Sequence, residues 1–338
     1  MKKILCLLLV LALIAGAAFA GGSSEAAGGA KVTRIKLASQ YAVDHFTTKM
    51  LYEFAQTVED QTNGMVNVTV YPAGQLGDYT QIYDELRQGS IDMANISIPG
   101  QYDQRLDICY VHYLAMNYEE AEKIYKPGSE LCKIVDELHN AQGVKFLGFC
   151  LEGFGQFGLT KMPTDPKDPR KPKNLLLRCP PINVFRETAD DQGWQTITIP
   201  YAELYTALQT KIAEGVTGLP AQILYNNYSD VIKVVIRANN FYENTSYLFS
   251  KKVWDKLTPE YQKIFQDAAT ELSMKTLAAG KENDDKYIQL MKDSPNMQVI
   301  ELTDAELKVW ADQARKVTWP RMEKQLTKEL VDRLLKSY

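Results

Sequence analysis

Between Ile35 and Ile96 the hydrophobic pattern switches repeatedly between a period of two and one of about 3.6 residues, the spacings of strand and helix. This alternation constrains the fold more than any other feature. Ile35-Lys36-Leu37-Ala38 reads as a strand. Asp44 then caps a helix whose apolar positions are Phe46, Met50, Leu51, Phe54 and Val58, and Asn63-Gly64 stops it. Val66 to Tyr71 alternates again, Pro72 to Gly77 breaks the chain, Asp78 opens a helix ending near Gly89, and Ile91 to Ile96 forms a third strand. The order β-α-β-α-β predicts a largely parallel sheet covered by helices.

The pattern continues with a helix from about Tyr118 to His139 and a strand from Val144 to Cys150. Residues 161–173 carry loop composition. A second α/β set begins with the strand Leu175–Arg178, followed by a helix near Ala202 to Leu208 and strands near Val216 and Val234. Thr258-Pro259-Glu260 combines a capping Thr, a Pro at the first helical position and an acid in the first turn. That helix runs to about Lys292, roughly 50 Å at 1.5 Å per residue, long enough to reach across two lobes. Amphipathic helices near 303–316 and 320–336 complete the pattern.

Lys2 and Lys3, a short apolar stretch from Ile4 to Phe19 and the small-x-small site Ala18-Phe19-Ala20 predict a signal peptide cut after Ala20, with residues 21–32 a flexible leader. No later segment is apolar for long enough to cross a bilayer, so a soluble exported protein is expected. Removing Lys2 and Lys3 from the 38 basic residues leaves 36 against 42 acidic ones, a net −6. A mildly acidic chain without a basic run argues against nucleic acid as a partner. The remaining length exceeds one ordinary core and predicts two domains. Cys109, Cys132, Cys150 and Cys179 lack CxxC spacing, and no disulfide is assigned to them. The three histidines, His45, His112 and His139, have no spaced partner. No metal, cofactor or catalytic constellation is therefore expected, and the chain is read as a non-enzyme. Gly153 to Gly158 lacks nucleotide-binding spacing and reads as a tight turn or ligand-facing loop.

Arg178 closes the run Leu175-Leu176-Leu177 and precedes Cys179-Pro180-Pro181. A guanidinium at the carboxyl end of a buried strand is costly unless paired, and its planar fork fits a carboxylate in two parallel hydrogen bonds. Such strand ends are also where open α/β sheets bind ligands. Locally, a structural ion pair and a ligand anchor remain equal alternatives. Tyr41, Tyr201 and Tyr225 fall near strand ends or turns, where an amphipathic ring suits a cleft.

Several segments resemble one family. Thr62-Asn63-Gly64 followed by Val68-Thr69-Val70-Tyr71-Pro72-Ala73-Gly74-Gln75-Leu76-Gly77 resembles the first-lobe signature of TRAP-transporter solute-binding proteins, the DctP family. His45, Gly89-Ser90-Ile91-Asp92-Met93, Lys173 to Pro181, and Glu203-Leu204-Tyr205-Thr206-Ala207-Leu208-Gln209-Thr210 fit further family segments, spanning about residues 33 to 310. The resemblance implies an α/β, two-lobed periplasmic-binding-protein clamshell with a long helix spanning both lobes. It divides the chain into lobe 1 (33–152 plus 237–275), lobe 2 (153–236 plus 276–302) and C-terminal helices (303–338). It implies capture of an organic acid in the periplasm for a two-subunit membrane permease. Arg178 becomes the carboxylate anchor and Tyr201 the aromatic that packs on the ligand. The expected ligand-binding set is Arg178, Tyr201, Phe157, Gln156, Gly218, Tyr41, Tyr225 and Asn183.

Two departures from the family pattern bear on the ligand. Phe157, beside Gln156, stands where many members carry a second Arg, and Gly218 stands where they carry a ligand-contacting Asn. A charge-assisted hydrogen bond is worth roughly 1.5–3 kcal/mol, so both losses predict a more apolar cleft and a monocarboxylate with a hydrophobic tail or a largely hydrophobic molecule. The signal and its Gly-Gly-Ser-Ser-Glu-Ala-Ala leader look like those of spirochaete exported proteins, and that likeness implies a tetratricopeptide-repeat lipoprotein as a second partner. The alternatives are the binding subunit of an ATP-driven importer, an exported enzyme, or a sensor on the same fold.

Overall fold

The computed structural model describes residues 32–337. The expected signal peptide and nearly all of the leader lie outside them. Strands β1 (Thr33–Ser39), β2 (Val66–Tyr71), β3 (Met93–Ile96), β4 (Val144–Leu159), β5 (Leu176–Cys179), β6 (Gln195–Thr198), β7 (Gly215–Pro220), β8 (Val234–Arg237), β9 (Tyr242–Ser250) and β10 (Gln298–Glu301) are joined by helices. The strands run in the order β2-β1-β3-β9-β4-β7-β5-β6, with β8 against β4 and β10 against β8. β1, β2 and β3 are parallel, as the alternation predicts, and so are β5, β6 and β7. β9 and β4 run antiparallel to their neighbours, so the sheet is mixed.

β4 joins the two lobes of this clamshell. Val144 to Phe154 pairs with β9, and Gly155 to Leu159 pairs with β7 and β8. The Gly153 to Gly158 segment, expected as a turn or loop, therefore lies inside a strand. Its glycines are set by close approach: a Cβ on Gly153 (φ +108°) would lie 2.5 Å from Asp284 Oδ1, and one on Gly155 would strike the Phe241 ring. The local composition mimics a loop because neighbouring side chains press on the strand face.

The helix Pro259–Asp293 spans both lobes, capped by Thr258 Oγ1, which accepts from the Tyr261 N–H. Its first half buries Phe265, Ala268, Ala269 and Leu272 against Leu51, Phe54 and Phe249 of lobe 1. Its second half buries Ile288 and Met291 against Leu224 and Val235 of lobe 2. Full burial of each large side chain stabilises by roughly 1.5–3 kcal/mol, so one helix anchors two cores. Also in the second half, Asp284 Oδ2 accepts from the Phe154 N–H at 2.7 Å and from the Tyr118 hydroxyl, fixing the helix to β4 where the lobes meet.

Other boundaries shift for local reasons. His45, not Asp44, caps the helix Phe46–Gln61, its Nδ1 accepting from the Thr47 N–H at 3.3 Å. The expected helix from Tyr118 to His139 is two, Tyr118–Tyr125 and Glu130–Ala141, because Pro127-Gly128 intervenes and Ser129 starts the second. The C-terminal helices are Asp304–Gln313, a π-helical turn Ala314–Thr318, Trp319–Leu326 and Lys328–Leu335, with Thr327 at φ +63° separating the last two. This segment ties the lobes together. Trp310 packs on Phe157 in lobe 2, while Arg315 donates to the Tyr113 carbonyl and Trp319 to the His112 carbonyl in lobe 1. All four described cysteines are free thiols.

Candidate functional site

The lobes meet over a cleft lined from both sides. Lobe 1 contributes Gln40 and Tyr41 after β1, Tyr79, Ser97 after β3, Tyr110 and Glu243 on β9. Lobe 2 contributes Arg178 on β5, Pro180, Ile182, Phe185, Tyr201, Gly218 and Leu219. Contact across the cleft is direct: Tyr41 shares a buried cluster with Ile199, Leu204 and Leu219, and the Tyr110 and Phe185 rings lie 5.7 Å apart.

β5 runs between β6 and β7, which places Arg178 opposite Ile197 and Val216 in the middle of the lobe 2 sheet. The side chain is only 2% exposed. Its Nε donates to the Ile199 carbonyl at 2.8 Å, and no carboxylate among the described residues forms an ion pair with it. Burial lowers the guanidinium's affinity for its proton, and the tyrosines 79, 228 and 201 partly offset this. An arginine keeps its charge even so. Nε is thus fixed to a backbone carbonyl, and Arg178 lines the cleft.

Tyr201 opens the short 3-10 turn Tyr201–Glu203 and meets the Tyr41 ring edge-on at 6.3 Å. Tyr41 stacks on His45 at 4.3 Å, and its carbonyl accepts from the Ala73 N–H at 2.7 Å. The turn Pro72 to Gly77 thus holds the loop that carries a cleft aromatic. Burial lowers the His45 imidazole to about 4, so it stacks as a neutral ring. Gly218 has φ +93°, and a Cβ there would approach the Phe185 ring at 3.3 Å.

Of the residues expected in the site, Arg178, Tyr201, Tyr41 and Gly218 come together in this cleft. Phe157, Gln156, Tyr225 and Asn183 do not line it. Phe157 is 1% exposed and packs on Trp194 at 4.9 Å and Trp310 at 5.5 Å. Gln156 is spent on Asn239 and the Phe154 carbonyl. Tyr225 packs on Tyr287, and Asn183 begins the helix Asn183–Asp191, its backbone N–H facing Asp107. Both side chains of this β4 segment are taken up by internal partners, Trp194 and Trp310 for Phe157 and Asn239 for Gln156, which are distant in sequence.

The sequence reading missed Tyr79, Tyr110, Gln40, Ser97 and Glu243. Gln40 is locked to Ser97, accepting from its N–H at 2.9 Å. The Tyr110 hydroxyl accepts from the Ile98 N–H at 2.8 Å. The Tyr79 hydroxyl is buried without a partner among the described residues. The Glu243 side chain is 6% exposed and makes no hydrogen bond or ion pair with the described residues, though Arg178 is near enough to lower its proton affinity. Behind it Glu152 is the unopposed residue of a β-bulge, since Leu151 faces Asn244 and Gly153 faces Glu243. Burial raises both carboxyls well above the ordinary glutamate value. The cleft is therefore not as apolar as the two departures predict, because β9 and the end of β3 bring polar groups that no local motif marks.

Comparison with known proteins agrees with this fold. The model of the bacterial extracellular solute-binding protein family 7, DctP, matches residues 37–325. The chain belongs to this family. The C4-dicarboxylate-binding periplasmic protein DctP of Rhodobacter capsulatus is 26% identical over 281 residues, covering 82% of this chain and 83% of its own. A TRAP periplasmic solute-binding protein of Haemophilus influenzae solved with L-gulonate superposes with a TM-score of 0.81 at 24% identity, covering 90% of this chain and all of its own. The sugar-acid-binding protein DctPAm of Advenella mimigardefordensis, solved with galactonate, gives 0.82 at 22% identity, covering 91% and 98%. No helix among the described residues is long and apolar enough to cross a membrane, and none of their His, Cys, Asp and Glu side chains cluster as a metal site.

Proposed function

We propose that this chain captures a small organic acid between its lobes and delivers it to a TRAP-type permease. The observation that carries this reading is Arg178, a buried cation held by the Ile199 carbonyl, without an ion pair among the described residues and lining a cleft between two lobes. Relatives solved with gulonate and galactonate support an acid as the ligand class. The carboxylate accepts from the free edge of the Arg178 fork, the Tyr201 and Tyr41 rings cover it, and Ile182, Phe185 and Leu219 take the ligand body. Closure of the lobes desolvates the ion pair and creates the surface that the permease reads, with the ligand supplying the differential affinity for the closed form.

The reading includes export with cleavage after Ala20, a periplasmic location, lobe limits near residues 152 and 237, no catalytic turnover and a tetratricopeptide-repeat lipoprotein as a second partner. Thermal-shift screening of organic acids tests the central step. A ligand that raises the melting temperature of the parent chain but not of Arg178→Ala supports it. Equal stabilisation of both chains contradicts it. Pull-down from a host expressing the lipoprotein tests that partner, and absence of the repeat protein from the eluate removes it.

A further inference from the structure

Arg178 from lobe 2 and Glu243 from lobe 1 line the same cleft without forming an ion pair. Arg178 presents its fork from lobe 2 and has no ion-pair partner. Glu243 presents its carboxyl from lobe 1; it forms no side-chain hydrogen bond or ion pair with the described residues, and Arg178 is near enough to lower its proton affinity without closing an ion pair. Glu152, itself 1% exposed and beside the Tyr41 and Thr245 hydroxyls, adds a second buried carboxyl next to Glu243. Buried charges are costly unless paired, so a ligand that answers Arg178 alone leaves the acidic wall unanswered.

We propose that the ligand is a small zwitterion, its carboxylate on Arg178 and a protonated nitrogen on Glu243. This rests on the solute-capture reading and names its ligand class. With such a ligand the two ends of the cleft are each paired, and the complex adds no net charge to the protein interior. The apolar wall of Ile182, Phe185 and Leu219 lies along the same cleft and suits a short carbon skeleton between the charged ends. Burial and the neighbouring Glu152 raise the Glu243 proton affinity while Arg178 lowers it, and a cation brought by the ligand lowers it further.

The test uses the full chain and a panel of amino acids, ω-amino acids and betaines, each paired with its des-amino acid, such as proline with cyclopentanecarboxylate and 4-aminobutyrate with butyrate, together with succinate and gluconate. Calorimetry is expected to find a zwitterion that binds at least about tenfold more tightly than its des-amino partner, with the preference erased in Glu243→Gln. Glu243→Gln keeps the volume of the side chain, and its circular dichroism and melting temperature verify folding. Tightest binding by succinate, gluconate or a des-amino acid, or a zwitterion preference that survives Glu243→Gln, overturns the zwitterion while leaving acid capture intact. Binding by no member of the panel, anionic or zwitterionic, counts against both.

Discussion

Arg178 and Phe157 are both nearly fully buried, yet truncating them has opposite consequences. Arg178→Ala removes two charge-assisted hydrogen bonds worth roughly 1.5–3 kcal/mol each, so ligand affinity falls by at least about a hundredfold, measured by calorimetry. Arg178→Lys keeps the charge but not the fork and is expected to recover only part of that loss. Phe157→Ala opens a cavity against Trp194 and Trp310 and costs about 3–5 kcal/mol of stability in denaturant titration, with ligand affinity unchanged in the folded fraction. Glu152 supplies a pH signature. Its folded-state value lies above its unfolded one, so the folded chain holds that proton more tightly, and stability is lost as pH rises through and beyond the ordinary value of 4.5. Glu152→Gln should therefore stabilise relative to the parent more at about pH 8 than at about pH 5. An equal difference at both values would show that the buried carboxyl does not carry the effect.

β4 and the long helix are where composition and structure diverge most usefully. The β-α-β-α-β run, the Leu175 strand and the Thr258-Pro259 helix start were legible because each element carries its own periodicity or cap. The continuous strand Val144–Leu159 was not, because Gly153, Gly155 and Gly158 are required by the side chains of Asp284, Phe241 and Leu224, which are distant in sequence. The same holds for the site. Arg178 and Tyr201 follow from local pattern and family segments, whereas Glu243 and Tyr79 reach the cleft only through the pairing of β9 and the placement of a helix start. Glycine substitutions separate close approach from mere backbone preference. Gly155→Ala forces a methyl into the Phe241 ring and should destabilise by more than about 2 kcal/mol in thermal or chemical unfolding. Gly128→Ala meets nothing within 4 Å and pays only for its φ of +79°, about 1 kcal/mol.

The molecule as a whole is two cores that share one strand, one long helix and a C-terminal strap. Such an arrangement permits a rigid-body closure about β4 and the long helix while the strap limits its extent. Addition of a stabilising ligand should therefore lower the radius of gyration in small-angle scattering. The Arg178→Ala chain, which lacks the anchor, should retain the unliganded profile. The most direct measurement is a calorimetric titration of the parent and Arg178→Ala chains with whichever acid or zwitterion most raises the parent's melting temperature. One site per chain and at least about a hundredfold weaker binding in the variant is the predicted result. Binding of equal strength in both chains would contradict the assignment of Arg178 as the anchor of a ligand held between the lobes.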